Sequence, residues 1–197
     1  MQMRIVQIGD AVLRQEARTL TVEEIRSREI QDLIAALRET MYKAPGVGLA
    51  APQVGLPLQV AVIEDKPEYV KDAPAAFLQE RQRTPVPFHV IVNPVVTLGK
   101  GEKVSFYEGC LSLAGFTAVV PRALNVRVEC LDHRGEPKII EASGWYARIL
   151  QHEIDHLNGT VYIDRMHSRT FTTLDHFNAF WKDKPMEEVK RLLHWER

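Results

Sequence analysis

Cysteine is scarce. Cys110 and Cys130 are the only two in 197 residues, which excludes a disulfide framework and fits a reducing compartment. Charge of one sign is missing as well. Lys plus Arg is 25 and Asp plus Glu is 26, a net charge of −1. Nothing therefore marks a general nucleic-acid binder or a membrane-surface protein. No apolar run approaches the roughly 20 residues that span a bilayer. Residues 1–10 lack a basic stretch followed by an apolar core, so no secretory signal is expected. Internal repeats and low-complexity segments are absent too. What remains is ordinary globular composition, 45% hydrophobic and 26% charged, and one domain over residues 1–197 with a sizeable core is expected.

The most informative stretch is Gln151-His152-Glu153-Ile154-Asp155-His156-Leu157-Asn158-Gly159. On a helix of 3.6 residues per turn, His152 and His156 point the same way, one above the other. Two imidazoles so placed can share one metal ion. Glu153 can then reach a water on that ion without binding the ion itself. The spacing favours a metal site over a chance pair of histidines. Ser143 is a good N-cap for this helix, and Asn158-Gly159 a left-handed stop.

Around it, Thr21-Val22-Glu23-Glu24 has the form of a capping box. Ile30, Leu33, Ile34, Leu37 and Met41 follow at helical spacing, so a helix runs to about Tyr42 and stops at Pro45-Gly46. Residues 4–8 read as an edge segment, with residues 12–14 in a loop, and residues 58–63 as a strand. Residues 66–87 carry four prolines among charged residues and read as an insertion, with one helix over 75–82. Residues 88–92 form a strand closed by Asn93-Pro94. Residues 95–98 and 102–107 flank Gly99-Lys100-Gly101 as a hairpin. Residues 116–120 continue in extended form to Pro121. Leu124, Val126, Val128 and Cys130 alternate with polar residues, which makes Cys130 a core residue. His133 falls in a solvated turn before a return strand at 138–142. A short strand at 161–163, a loop at 169–171, an amphipathic turn around Phe177, Phe180 and Trp181, and a helix over 186–196 complete the chain. In that last helix Val189, Leu192 and Leu193 face inward. Helices and hairpins without regular strand–helix alternation predict an α+β fold. Its antiparallel or mixed sheets pack around the metal-binding helix, with one helix before them and one after.

The third ligand decides the chemistry. In one class of HExxH peptidase a further His stands six residues after the second. Here Gly159 fits that extended pattern, but the ligand position is Tyr162. His167 is in no such register, and Glu187 and Glu188 lie beyond Pro185 on a helix with its own packing face. Cys110 is the better candidate, since a thiolate binds Zn²⁺ or Fe²⁺ strongly and Gly109 permits a tight turn beside it. Taken alone, Cys110 is as readily a buried core cysteine. The glycine-rich stretch Gly46-Val47-Gly48-Leu49-Ala50-Ala51-Pro52-Gln53-Val54-Gly55, taken alone, is as readily a helix terminator and tight turn.

Together, that stretch, Glu108-Gly109-Cys110-Leu111-Ser112 and the His152 helix resemble the three signature motifs of the peptide deformylase family, in the family's order. The resemblance runs from about residue 5 to residue 171. Residues 143–149, the 66–87 insertion and Arg169-Thr170-Phe171 resemble the organellar-type subgroup and its bacterial relatives. The resemblance implies removal of the formyl group from the initiator methionine of nascent polypeptides. It implies Cys110, His152 and His156 as ligands of one divalent ion per chain, Fe²⁺ in the cell, with Zn²⁺, Ni²⁺ or Co²⁺ as substitutes. Glu153 becomes general base and acid, and the Gln53 side chain and Leu111 backbone N–H become oxyanion donors. Val47, Gly48 and Gly109 would hold the substrate backbone. Trp145, Arg148 and Ile149 lie seven, four and three residues before His152, on its face of the helix. The resemblance puts the methionine pocket there. Arg148 either lines that pocket with its stem, its head reaching water, or forms a salt bridge away from it.

The expected partners are N-formylmethionyl nascent chains, with a ribosome contact as a candidate and no nucleic acid or membrane. The expected compartment is the bacterial cytoplasm, or an organelle if a transit peptide has been removed. Residues 172–197 are an expected C-terminal extension. Two other readings carry different tests. A general HExxH metallopeptidase would cleave unblocked peptides, and a non-catalytic module with a structural metal would use four protein ligands.

Overall fold

The computed structural model describes residues 2–44, 46–101 and 103–195. The expected helix stop at Pro45, strand start at Glu102 and helix end at Glu196 lie outside these residues. The capping box is present: the Thr21 hydroxyl accepts from Glu24 N–H, and the Glu24 carboxylate accepts from Thr21 N–H. The expected helix is two, α1 (Val22–Arg26) and α2 (Arg28–Lys43). Ser27 breaks it with an extended backbone and caps α2 through its hydroxyl.

Among the described residues eight strands follow: β1 (Gly48–Ala50), β2 (Val60–Asp65), β3 (Val86–Leu98), β4 (Lys103–Cys110), β5 (Leu113–Ala123), β6 (Asn125–Leu131), β7 (Pro137–Ser143) and β8 (Thr172–Thr173). They form two antiparallel sheets, one ordered β1-β2-β3-β6-β7 and one ordered β4-β5-β8. Helices α3 (Pro67–Val70) and α4 (Ala75–Arg81) lie between β2 and β3. Helix α5 (Gly144–Leu157) follows β7, and α6 (Leu174–Phe180) and α7 (Met186–Leu193) end the chain. The fold is α+β, as expected.

The two-residue period of a strand explains the layering. In β2, Ala61 and Ile63 face α5, while Val60 and Val62 face α2. In β3, Ile91 faces α5, and Val90 and Val92 face α2. The centre of the larger sheet, β2 with the first half of β3, is thus buried on both faces. Helix α5 rests Ala147, Leu150, Ile154 and Leu157 on it. A third cluster, with Phe106, Val119, Met186 and Val189, packs the C-terminal helices on the smaller sheet. Cys130 is 7% exposed within the core, as its alternation predicted, and His133 is exposed.

Several local expectations are corrected. Asn93-Pro94 does not close a strand: β3 runs through it, with Asn93 at φ 49° and a register shift at that point. Gly99-Lys100-Gly101 is not a hairpin turn. The end of β3 pairs with β6, and β4 pairs with β5, so this turn carries the chain from one sheet to the other. Residues 161–163 are not a strand, because Tyr162–Asp164 forms a 3₁₀ turn braced by Val161 N–H donating to the Asp164 carboxylate. Residues 4–8 form no strand, although Val6 N–H donates to Gln53 O and Ile8 N–H to Ser112 O. Ala11–Arg14 and Ser168–Thr170 are 3₁₀ turns rather than plain loops. Leu192 is 46% exposed, because Val189 and Met186 already fill the space under α7. Segment 66–87 returns to the core at α5. Gly144 sits at φ 58°, and a Cβ there would lie 2.5 Å from Gln82 Cβ. Only glycine allows both that backbone angle and that approach.

A candidate metal centre and its cavity

Two elements deliver the three donor atoms. Strand β4 ends at Cys110, where the pairing with β5 slips register between Gly109 and Cys110. Gly109 keeps an ordinary backbone angle, so the expected tight turn beside Cys110 is this slip in pairing. Helix α5 carries His152 and His156 one turn apart. The ligand atoms of Cys110, His152 and His156 all lie within 4.8 Å of one another, with His156 Nε2 3.2 Å from Cys110 Sγ. A thiolate and two imidazoles gathered this closely are a fitting donor set for a divalent transition metal. The position that would hold a third histidine in the peptidase pattern, Tyr162, instead lays its ring along His152 at 6.3 Å.

The second nitrogen of His152 is already committed. Nδ1 donates to the Glu108 carboxylate at 2.9 Å, which leaves Nε2 for an ion. Such a carboxylate–imidazole pair fixes the tautomer and raises ligand basicity. Glu108 is in turn held by Arg122, through Nε at 2.9 Å and its second nitrogen at 3.0 Å, and by Arg148 at 2.6 Å. Burial opposes the Glu108 charge. Arg122 and His152 outweigh it and hold the carboxyl well below its usual range. Arg122 also donates to Asp155, which Arg165 grips with two bonds of 2.7 Å.

Arg148 combines parts of both readings, a buried salt bridge at the border of the cavity. It is 2% exposed, so its head does not reach water. Its guanidinium donates to Glu108, to Val120 O at 2.8 Å and to Val104 O at 2.6 Å. Burial lowers its pKa to about 10 against the pull of Glu108, still charged at neutral pH. The residue does border the cavity, but its charge is spent on β4 and β5.

Glu153 is 3% exposed, and burial pushes its carboxyl up to about 7. It lies against Gly48: a Cβ on Gly48 would fall 2.2 Å from Glu153 Oε1. The glycine therefore makes room for the acid. Gln53 is buried in the turn after β1. Its Oε1 accepts from Ala50 N–H at 2.9 Å, which aims Nε2 at Ser112 (3.3 Å) and Cys110 (3.5 Å). One cavity of about 450 Å³ opens beside Glu153 and Gln53. It is bordered by Cys110, His152, Glu153 and Gln53, by Val47, Gly48, Gly109 and Leu111, and by Trp145, Arg148 and Ile149. Every site residue expected from the sequence borders it except His156, which lies behind at 1% exposure.

A family model for polypeptide deformylase matches residues 2–171. The chain is 47% identical over 174 residues to the chloroplastic peptide deformylase 1A of Solanum lycopersicum, across 88% of this chain and 63% of that one. The chain belongs to the peptide deformylase family. It is also 42% identical to the mitochondrial peptide deformylase of Homo sapiens, over 90% of this chain and 71% of that one. It spans less than two thirds of the length of the plant deformylases it matches. Among solved deformylases, the Met-Ala-Ser-bound class I type b enzyme of Acinetobacter baumannii superposes with a TM-score of 0.73. That likeness has 32% identity and covers 84% of this chain and 99% of the other. The enzyme of Synechococcus elongatus in complex with actinonin gives a TM-score of 0.69 at 35% identity, over 83% of this chain and 78% of the other.

The residues of this site that the sequence did not single out are Glu108, Arg122, Asp155 and Arg165. A signal existed for two of them. Glu108 opens the cysteine motif, and Asp155 is an acid between Ile154 and His156 in the metal-binding motif. Among the described residues, no helix is long and apolar enough to cross a membrane.

Proposed function

We propose that this chain is a metal-dependent deformylase acting on N-formylmethionyl polypeptides and releasing formate. The observation that carries the reading is the meeting of Cys110, His152 and His156, with Cys110 and His152 on the same cavity as Glu153 and Gln53. Cys110, His152 and His156 would hold one divalent ion. When bound, that ion supplies Lewis-acid polarisation and a water of lowered pKa.

The chain's own residues do the rest. Glu153, with a carboxyl poised near neutrality, takes the proton of the attacking water. The water oxygen bonds to the formyl carbon, and negative charge gathers on the formyl oxygen. The Gln53 amide and Leu111 N–H donate to that charge, and one such donor is typically worth ~3–4 kcal/mol. The C–N bond then breaks as Glu153 returns the proton to the departing amine. Formate and a free amino terminus result. Trp145 and Ile149 wall the methionine side chain. The substrate backbone lies along Val47 and Gly48 at the free edge of the larger sheet, where β1 is the outermost strand. Main-chain pairing of that kind gives affinity without reading sequence, which suits an enzyme that accepts many polypeptides.

The test is formate release from formyl-Met-Ala-Ser together with metal analysis, on one preparation purified without oxygen. One ion per chain, Fe²⁺ when oxygen is excluded, with rapid formate release is expected. Cleavage of unblocked peptides without formate release would overturn the reading.

A further inference from the structure

The chemistry above leaves the segment before Gly9 without a part. That segment forms no strand, yet it is tied to both pieces of chain that carry the oxyanion donors. Val6 N–H donates to Gln53 O at 2.9 Å, and Ile8 N–H donates to Ser112 O at 2.7 Å. Gln7 stands between them and adds its side chain. Its Nε2 donates to Leu111 O at 3.0 Å, and its Oε1 accepts from Ala114 N–H at 3.2 Å. Leu111 and Ser112 form the turn between β4 and β5, closed by the pairing of Cys110 with Leu113. Gln7, 104 residues from Leu111 in the chain, thus bridges the two sides of that turn.

Val6 and Ile8 pack, with Cys110 and Leu113, against the buried cluster of Leu13, Ala118 and Tyr162. Gln7 between them stays exposed. A neutral hydrogen bond open to water adds little to stability, so the two Gln7 bonds matter mainly through geometry. Cys110 is fixed at the end of β4, and Gln7 holds the Leu111 carbonyl on the other side of the Leu111 α-carbon. With both ends held, Leu111 N–H keeps one direction. The same turn reaches the second donor, because Gln53 Nε2 donates to the Ser112 hydroxyl at 3.3 Å.

We propose that Gln7 is a positioning residue for deformylation: it clamps the β4–β5 turn so that Leu111 N–H and the Gln53 amide meet the formyl oxygen together. This rests on the deformylase reading, in which both donors act on that oxygen. Donors set in advance need no reorganisation as charge develops. Small misplacements near a reacting centre cost rate out of proportion to their size. Leu111, Leu113 and Ala114 border the cavity and Gln7 does not. Gln7 therefore acts on the developing charge only through the turn it holds.

The experiment compares Gln7→Leu and Gln7→Lys with the wild-type enzyme, zinc-loaded, on formyl-Met-Ala-Ser. Leucine keeps the bulk and removes both bonds, while lysine keeps a donor for Leu111 O. Full removal of an oxyanion donor costs about 10²–10³ in kcat, so a donor left in place but loosened in Gln7→Leu should cost about tenfold. KM should stay within about twofold, the pattern of an interaction made only in the transition state. Gln7→Lys should keep kcat within about threefold of wild type, since the carbonyl contact survives. Amide hydrogen exchange, measured without substrate, should quicken about fivefold at Ala114 and Ile8 in Gln7→Leu and stay unchanged at Ile154. A kcat within twofold of wild type in Gln7→Leu, an effect confined to KM, or equal losses in both variants would overturn the clamp. So would faster exchange that extends to Ile154, the mark of a loosened fold. A wild-type enzyme that releases no formate would overturn the deformylase reading and the clamp with it.

Discussion

On one side of α5, Ala147, Leu150, Ile154 and Leu157 press carbon against the larger sheet; on the other, Arg148, His152 and Asp155 meet Glu108, Arg122 and Arg165 in an ionic cluster. The first side is non-directional. Its stabilisation follows the area removed from water, and small changes in shape cost in proportion. The second side is directional. One Glu108 oxygen serves Arg122 and Arg148, and the other serves Arg122 and His152. The apolar side holds the helix in the fold. The ionic side fixes how the His152 ring presents its nitrogen.

Breaking the ionic side should therefore cost most. Arg122→Leu leaves buried Glu108 short of its main partner and Asp155 short of one of its two, and a loss of about 3–5 kcal/mol is expected, read from urea unfolding. A loss under about 1 kcal/mol would mean the cluster adds nothing to stability. Next in size is Glu153→Ala, which removes a proton carrier and no packing partner of the cluster. Turnover should fall at least about 10²-fold, roughly 2.7 kcal/mol, with metal content unchanged. Turnover within tenfold of wild type would end the assigned role. Arg148→Leu follows. One charged hydrogen-bonding group is lost, at about 1.5–3 kcal/mol. Because its guanidinium is spent on Glu108 and two strand carbonyls, stability and kcat should fall while KM for formyl-Met peptides moves less than about twofold. A large rise in KM alone would return Arg148 to the methionine pocket.

The same contrast explains what could be read in the sequence. His152 and His156 share one helix, so their meeting is fixed by local geometry. Ile30 to Met41 and the Val126–Cys130 alternation are likewise local patterns, and the structure keeps them. Cys110 was harder, because a lone cysteine says nothing of its neighbours until its motif is matched with two others. The ionic cluster was out of reach. Arg122 is 14 residues from Glu108 and 33 from Asp155, and no local rule tells which strand end faces which helix. The turn at Gly99-Lys100-Gly101 shows the converse. It satisfies every local hairpin cue, yet Gly99 N–H donates to Asn125 O at 2.8 Å and β3 stays with β6. Strand partners are chosen by burial of whole faces, which a turn motif does not encode.

Two smaller substitutions sharpen the comparison. Gly48→Ala puts a methyl group 2.2 Å from where Glu153 Oε1 now lies. The carboxylate must move, so activity should drop at least about tenfold, or roughly 1.4 kcal/mol, with metal content unchanged and no large change in stability. Wild-type activity in that variant would show that Glu153 works from another position. Ile154→Val, on the apolar side, removes one buried methyl and should cost about 1 kcal/mol of stability. Ile154 stands between Glu153 and His156 in sequence but faces away from them, against the sheet. Metal affinity, measured by competition with a chelator, should stay within about twofold. If it falls tenfold, the two sides of α5 are coupled, and packing against the larger sheet helps to aim the imidazoles.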